Sequence, residues 1–180
     1  AEQYVCETFG FEKVLFMNSG AEANETAIKL ARKWGYTKKG IEDNKAVIVA
    51  AKHNFHGRTT TIISASSDPS STKGFGPFMT GFELVEYDNV AALEKALSNK
   101  NVCALWLEPI QGEAGVYVPH DGYLKAAENL CKQHNVLLMM DEIQTGLART
   151  GKMLAGDYEN VKPDVLILGK ALSGGMMPIS

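Results

Sequence analysis

Short apolar runs alternate along the chain with segments in which apolar positions recur every three or four residues. The apolar runs have the composition of buried strands and occupy 46–51, 83–87, 102–107, 136–140 and 165–168. Helical periodicity covers 1–9, 21–36, 58–66, 90–97 and 123–134. Residues 67–81 are rich in Ser, Gly and Pro and predict a loop. The alternation predicts an α/β fold: a mainly parallel sheet flanked by helices, without an internal domain boundary.

The residues that follow the apolar runs include most of the chain's reactive side chains. These segments are 18–21, 53–58, 108–113, 141–144 and 169–170. Ligands of open parallel sheets bind outside the carboxyl ends of the strands. We therefore expect one site at that edge of the sheet, built from all of these segments.

Lys170 follows the last apolar run, within the sequence VLILGKALSGG. A lysine at the exit of a buried strand is expected to lie in a cleft, partly desolvated. A desolvated amine loses its proton more readily, which makes it a better nucleophile. A lysine that merely ends a strand is the alternative for Lys170 considered alone.

Asp141 ends the apolar run VLLMM, where a carboxylate needs a cationic or hydrogen-bonding partner. That partner is either an ordinary structural one or the protonated nitrogen of a pyridine ring. An aspartate for the ring and Lys170 for a covalent bond are what pyridoxal phosphate (PLP) requires. Gly20 and Ala21 begin a predicted helix, whose free amides and positive dipole end bind phosphate; an ordinary helix start is the alternative.

Three further side chains in these segments suit a site for a planar, anionic ligand. Phe55 would stack on a ring or fill the core, and Arg58 would bind a carboxylate or lie on the surface. Glu113, between glycines, would pair with an arginine or an amine, or remain a solvated loop acid. His53 and His56 have HxxH spacing, but no carboxylate or cysteine completes a ligand set, so we expect no metal.

Composition narrows the class of protein without changing this picture. The chain has 180 residues, 45% of them hydrophobic, and a formal net charge of −3. These values fit one domain and give no electrostatic reason to expect binding to nucleic acid or an anionic membrane. No apolar run approaches the roughly 20 residues that span a bilayer. Three cysteines, an odd number without close spacing, favour reduced thiols inside the cell.

The two ends of the chain suggest a piece of a longer protein. It begins without an initiator Met or an apolar signal segment, and it stops at Ser180, shortly after Lys170. We expect a cytoplasmic protein, with the mitochondrial matrix as the alternative if a transit segment precedes Ala1.

Five segments together resemble the class III (subgroup II) PLP-dependent aminotransferases. They are NSGAEA from Asn18, FHGRT from Phe55, EPIQGE from Glu108, DEIQTG from Asp141 with RTG from Arg149, and GKALSGG from Gly169. They follow the family's order and cover almost the whole chain. The resemblance implies a partial fold type I large domain. Residues 1–180 would be the central part of the PLP-binding large domain, with the N-terminal segment and the C-terminal small domain absent.

The resemblance also implies a role for each matching side chain. Lys170 would hold the cofactor covalently and act as acid and base, and Asp141 would bind the ring nitrogen. Gln144 would bond the ring's phenolic oxygen, and Phe55 would stack on the ring. The phosphate would be held by the amides of Gly20 and Ala21. Two residues would bind substrate: Arg58 through a carboxylate, and Glu113 as a switch acid that alternately binds and releases a second arginine.

Within the family, EPIQGEAGV, DEIQTGLARTGK, GFGPFM and GDYENVKPD most resemble the ornithine aminotransferases. Those enzymes form homodimers and move the δ-amino group of ornithine to 2-oxoglutarate, giving glutamate semialdehyde and glutamate. His56 departs from the aromatic residue of the animal enzymes and is typical of the acetylornithine enzymes. Acetylornithine or 4-aminobutyrate aminotransferases, or a catalytically inert fragment, are the alternatives.

Overall fold

The structure, a computed structural model, describes residues 1–180 and contains a five-stranded sheet in which every neighbouring pair is parallel. The strand order is β2-β1-β3-β4-β5. The strands are β1 Val47–Ala51, β2 Phe82–Val85, β3 Val102–Leu107, β4 Leu137–Asp141 and β5 Val165–Ile167. All six residues of the central strand β3 are buried, as a strand covered on both faces requires. The predicted parallel sheet is confirmed.

Helices connect the strands and cover the sheet. They are α1 Glu2–Phe9, α2 Gly20–Trp34, α3 Thr60–Ile63, α4 Pro69–Thr72, α5 Val90–Leu97 and α6 Tyr123–Gln133. Helix α2 begins where the Ser19 side chain accepts a hydrogen bond from the Glu22 amide, and it continues into a π-helical turn, Gly35–Lys39. Gly40 ends that turn with a φ of 79°, a left-handed conformation that glycine adopts without strain.

Two apolar cores lie on opposite faces of the sheet. The first packs α5 and α6 against the sheet, and the second packs α2 against the other face. Within β3, Leu105 and Leu107 point into the first core, whereas Ala104 and Trp106 point into the second. This alternation follows from the two-residue period of a strand and fixes which side chains meet α2.

Local structure differs from the sequence-based prediction in two places. The helix predicted over 58–66 forms only at α3. The predicted loop 67–81 contains α4, because the Asp68 side chain accepts from the Ser70 amide and Pro69 supplies a helical φ at the first position. No helix in the structure has both the length and the apolarity to cross a bilayer.

Candidate active site

The segments singled out by sequence converge at the carboxyl edge of the sheet. Residues 53–58 follow β1, Glu108 follows β3, Asp141 is the last residue of β4, and Lys170 lies just after β5. These four strands are consecutive neighbours in the sheet, so the residues after them share one edge. The start of α2 is held at the same edge by contacts described next.

Small residues allow the loops of the site to approach one another closely. A Cβ added to Gly20 would lie 2.8 Å from Ile143 Cδ1, and one added to Gly169 would lie 3.6 Å from the Cα of Gly20. A Cβ on Gly57 would lie 3.2 Å from the Ala21 Cβ. The start of α2 therefore touches both the loop after β1 and the segment that leads to Lys170.

A second close approach joins Gln144 to the loop after β3. A Cβ on Gly112 would overlap the Gln144 side-chain oxygen, so the absence of a side chain at Gly112 lets this amide occupy its observed position. Gln144 Nε2 also donates to Glu113 Oε1 at 3.1 Å. The structure thus brings together two residues, Gln144 and Glu113, that sequence reasoning considered separately.

The first turn of α2 presents backbone amides at this edge. The Glu22 amide is used by the Ser19 side chain, and the Glu22 carboxylate accepts from the Asn18 amide at 3.0 Å. The amides of Gly20 and Ala21 come too early in the helix to find an acceptor four residues back within it. They are the donors that an anion at this position would meet.

Asp141 is 4% exposed and accepts hydrogen bonds from three donors. Its Oδ2 accepts from Asn24 Nδ2 at 2.9 Å and lies 2.7 Å from His56 Nδ1. Its Oδ1 accepts from the Ile143 amide at 3.1 Å. A carboxylate oxygen has two lone pairs, so Oδ1 keeps capacity for one more donor.

Phe55 is half-buried beside Arg58, whose guanidinium carbon lies 5.5 Å from the centre of the Phe55 ring. Arg58 itself is exposed. The Phe55 amide donates to Glu108 Oε2 at 3.0 Å, which ties the loop after β1 to the end of β3. The structure therefore places the predicted stacking ring and the predicted carboxylate-binding arginine side by side.

Glu108 is a buried acid to which the sequence analysis assigned no role. It is 6% exposed, and burial raises the pKa of its carboxyl to about 7. The hydrogen bond from the Phe55 amide and the positive charge of Lys170 oppose this rise, whereas the negative charge of Asp141 adds to it. An acid placed directly after a wholly apolar strand is the signal that could have drawn attention to it.

The predicted desolvation of Lys170 is wrong for this chain. Lys170 is exposed, and it opens the 3-10 turn Lys170–Ser173 with a φ of 40°. The apolar strand β5 ends at Ile167, and the segment 174–178 beyond the turn is exposed as well. Lys170 therefore lies on the exposed surface of the site, and residues of this chain do not enclose it in a cleft.

Three buried residues behind Asp141 were missed as a group. Asn24 on α2 bonds Asp141 and also accepts from Trp106 Nε1, and His56 stacks on Trp106. Asn24 is a polar residue among the apolar positions of a helix, which is the sequence signal for such a contact. The HxxH pair is divided, because His53 is exposed while His56 is buried.

Comparison with known proteins gives relatives over nearly the whole chain. Ornithine aminotransferase, mitochondrial, of Drosophila melanogaster is 66% identical over 99% of this chain and 42% of that protein. A crystal structure of ornithine aminotransferase from Toxoplasma gondii has a TM-score of 0.97 at 53% identity, covering 98% of this chain and 42% of that one. Acetylornithine aminotransferase from Elizabethkingia anophelis has a TM-score of 0.85 at 58% identity, covering 99% and 43%.

This chain therefore spans less than half the length of each of these proteins. A further structure of the Toxoplasma enzyme is described as showing partial occupancy of PLP at its active site. The family described as aminotransferase class-III matches residues 1–180. That match covers every segment of the site, and it establishes that the chain belongs to the class-III aminotransferases.

Proposed function

We propose that this chain is the central part of the PLP-binding domain of an enzyme that transfers the δ-amino group of L-ornithine to 2-oxoglutarate. The products are glutamate 5-semialdehyde and glutamate. The observation that carries the proposal is the meeting, at one sheet edge, of an anion-binding helix start, a buried aspartate and a lysine. The ornithine aminotransferases among its relatives support the choice of substrate.

The residues present fit PLP on three counts. The Oδ1 of Asp141 keeps acceptor capacity for a protonated ring nitrogen. The amides of Gly20 and Ala21 suit a phosphate, and the contact of Gly20 with Ile143 leaves no room for a side chain at that position. When bound, PLP supplies an electron sink for the carbon that carries the reacting amino group.

Each side chain would then have a defined role. Lys170 Nζ would hold the cofactor covalently until the substrate's amino group displaces it, and the freed amine would then take the proton from the amino-bearing carbon of the substrate and carry it through the 1,3-proton shift. Asp141 would keep the ring nitrogen protonated through its negative charge. Gln144 would donate to the phenolic oxygen, and Phe55 would stack on the ring.

Arg58 and Glu113 are the proposed substrate-binding pair. The exposed guanidinium of Arg58 would donate a pair of hydrogen bonds to a substrate carboxylate. Glu113 would pair with an arginine outside this chain when ornithine is bound and release it for glutamate. The hydrogen bond from Gln144 gives Glu113 a resting partner on this chain.

Lys170→Ala in the full-length protein tests the mechanism. We expect no turnover and no visible absorbance of lysine-bound cofactor, while PLP remains held through its phosphate. Lys29→Ala, which removes an exposed lysine from α2, is the matched control. Normal turnover by the Lys170 variant would refute the assignment.

Acetylornithine is the second candidate substrate, because the Elizabethkingia enzyme is 58% identical over this chain. His56 also favours acetylornithine, because a histidine at that position is typical of the acetylornithine enzymes. Measuring kcat/KM of the full-length protein for ornithine and for N-acetylornithine decides between them. A preference for the acetylated amine would overturn the choice of ornithine.

The remaining predictions concern the whole protein. We propose a homodimer, which sedimentation of the full-length protein tests. The name of the Drosophila relative favours the mitochondrial matrix over the cytoplasm, and localising the tagged full-length protein distinguishes the two.

Residues 1–180 alone should not catalyse the reaction, because the side chains of Arg58, Glu113 and Lys170 are all exposed to solvent. Robust transamination by residues 1–180 alone would contradict this.

A further inference from the structure

The hydrogen bonds of the Asp141 carboxylate are distributed unequally between its oxygens. Oδ2 has two side-chain donors, Asn24 at 2.9 Å and His56 at 2.7 Å, and so has no lone pair left. Oδ1 has one backbone donor, Ile143. The remaining acceptor capacity of this buried carboxylate is therefore all on one atom.

Asn24 is 0% exposed, and every hydrogen-bonding position but one on its amide is used. Its Nδ2 donates to Asp141 Oδ2 and to the His56 carbonyl at 2.8 Å, and its Oδ1 accepts from Trp106 Nε1 at 3.0 Å. An indole nitrogen can only donate, so the oxygen of Asn24 must face Trp106 and its NH₂ must face Asp141. Trp106 thus sets the orientation in which Asn24 serves the carboxylate.

His56 has a fully buried side chain, stacked on Trp106 with ring centroids 3.8 Å apart and planes 16° apart. Its Nε2 has no hydrogen-bond partner. A neutral ring with its proton on Nδ1 donates to Asp141 and leaves only a bare lone pair on Nε2. A charged ring would instead bury an N–H without an acceptor, which is costlier. The geometry therefore favours the neutral form.

We propose that Asn24 and His56 are positioning residues that hold Asp141 with its full negative charge and with Oδ1 as its one receptive atom. Both reach the carboxylate through hydrogen bonds that leave its charge in place, since the asparagine is neutral and the histidine donates from Nδ1 without becoming a cation. This rests on the proposed function, because the receptive oxygen matters only where a ring nitrogen binds Asp141.

The four residues come from four different parts of the fold: Asn24 from α2, His56 from the loop after β1, Trp106 from β3 and Asp141 from β4. A purely structural network would have the same contacts, so stability alone cannot distinguish the two roles. The distinguishing quantity is the protonation of the ring nitrogen, which responds to the carboxylate and not to the packing around it.

The test uses the full-length protein loaded with PLP labelled with ¹⁵N at the pyridine nitrogen. His56→Phe keeps an aromatic ring against Trp106 but removes the donor to Asp141. In this variant we expect the ¹⁵N signal of the pyridine nitrogen to shift towards the unprotonated position. The value of kcat/KM for ornithine should fall about 10- to 100-fold, because kcat falls while KM changes little. Asn24→Ala should act in the same direction, and Asp141→Asn should give the full loss of the protonated signal.

Leu105→Ala is the structural control, because it removes a fully buried side chain from the opposite face of β3 and leaves both donors to Asp141 and the bond from Trp106 to Asn24 in place. It should lower the melting temperature with little change in the ¹⁵N signal. A protonated ring nitrogen and normal kcat in both His56→Phe and Asn24→Ala would overturn the proposal, whatever their melting temperatures.

A readout without cofactor separates this inference from the proposed function. Histidine ¹⁵N spectra of the PLP-free protein, assigned with His56→Phe, should show a single proton on Nδ1 of His56. An imidazolium, or a proton on Nε2, would overturn the inference even if the protein is an active aminotransferase. The protein could instead show the proton on Nδ1 of His56 but neither bind PLP nor transaminate. That result would support the Asp141 network as described, but it would overturn the proposed function and with it the role of Oδ1.

Discussion

Replacing Glu108 by glutamine should remove a pH dependence from the stability of the protein. Burial raises the pKa of the Glu108 carboxyl from an ordinary value of 4.5 to about 7. Between pH 4.5 and about 7 the folded protein keeps a proton that the unfolded chain has released. The free energy of unfolding therefore falls as the pH rises through this window, by at most about 3 kcal/mol.

Glutamine matches the protonated carboxyl in shape and has an oxygen that can still accept from the Phe55 amide, now 3.0 Å from Glu108 Oε2. The variant and the parent should therefore be equally stable near the acidic end of the window. Towards alkaline pH the variant should become the more stable protein by up to about 3 kcal/mol, because it has no buried charge to form.

Urea unfolding of the cofactor-free, full-length protein, followed by tryptophan fluorescence from about pH 5 to about pH 8.5, measures this difference. Glu94→Gln removes an exposed glutamate from α5 and controls for the loss of one acidic group. Stability curves of the parent and Glu108→Gln that run parallel across this range would show that the folded state does not hold the extra proton.

Three other substitutions test separate parts of the site. Asp141→Asn keeps the shape of the carboxylate without its charge. It should raise the activation free energy by about 3–4 kcal/mol and so lower kcat, and a near-normal kcat would exclude the ring-nitrogen role. Gly112→Ala places a methyl group on the Gln144 side-chain oxygen, so we expect slower turnover with a nearly unchanged melting temperature; unchanged kinetics would mean that Gln144 is free to move aside. Ser19→Ala removes the cap of α2 and should cost about 1 kcal/mol in urea unfolding, and a loss indistinguishable from zero would contradict the capping role.

The sheet could be predicted from sequence because its strands are short, wholly apolar runs. The bounds of β3 match the prediction residue for residue, since no polar side chain interrupts the run. The convergence of Asp141 and the segment of Lys170 followed from one rule of parallel sheets, that the carboxyl ends of the strands share an edge. The family resemblance then supplied roles that position alone did not.

Exposure and hydrogen-bond partners could not be predicted in the same way. The exposure of Lys170 depends on which residues pack over the end of β5, and the local sequence pattern does not indicate those residues. The bond from Asn24 to Asp141 joins residues 117 positions apart, and that from Trp106 to Asn24 spans 82. Such contacts are set by the packing of α2 on the sheet, so the sequence offers only a polar residue in an apolar stripe.

The long reach of these contacts bears on the order in which a growing chain can acquire its site. Asn24 must wait for Asp141 to be synthesised before its amide can close the network, and β4 must have paired with β3. The Ser180 hydroxyl donates to the Ser19 carbonyl across 161 positions, so the start of α2 gains this contact only after Ser180 has been made. A chain still leaving the ribosome therefore forms helices and strands before the proposed phosphate site is complete, and binding of the proposed cofactor would follow closure of the sheet.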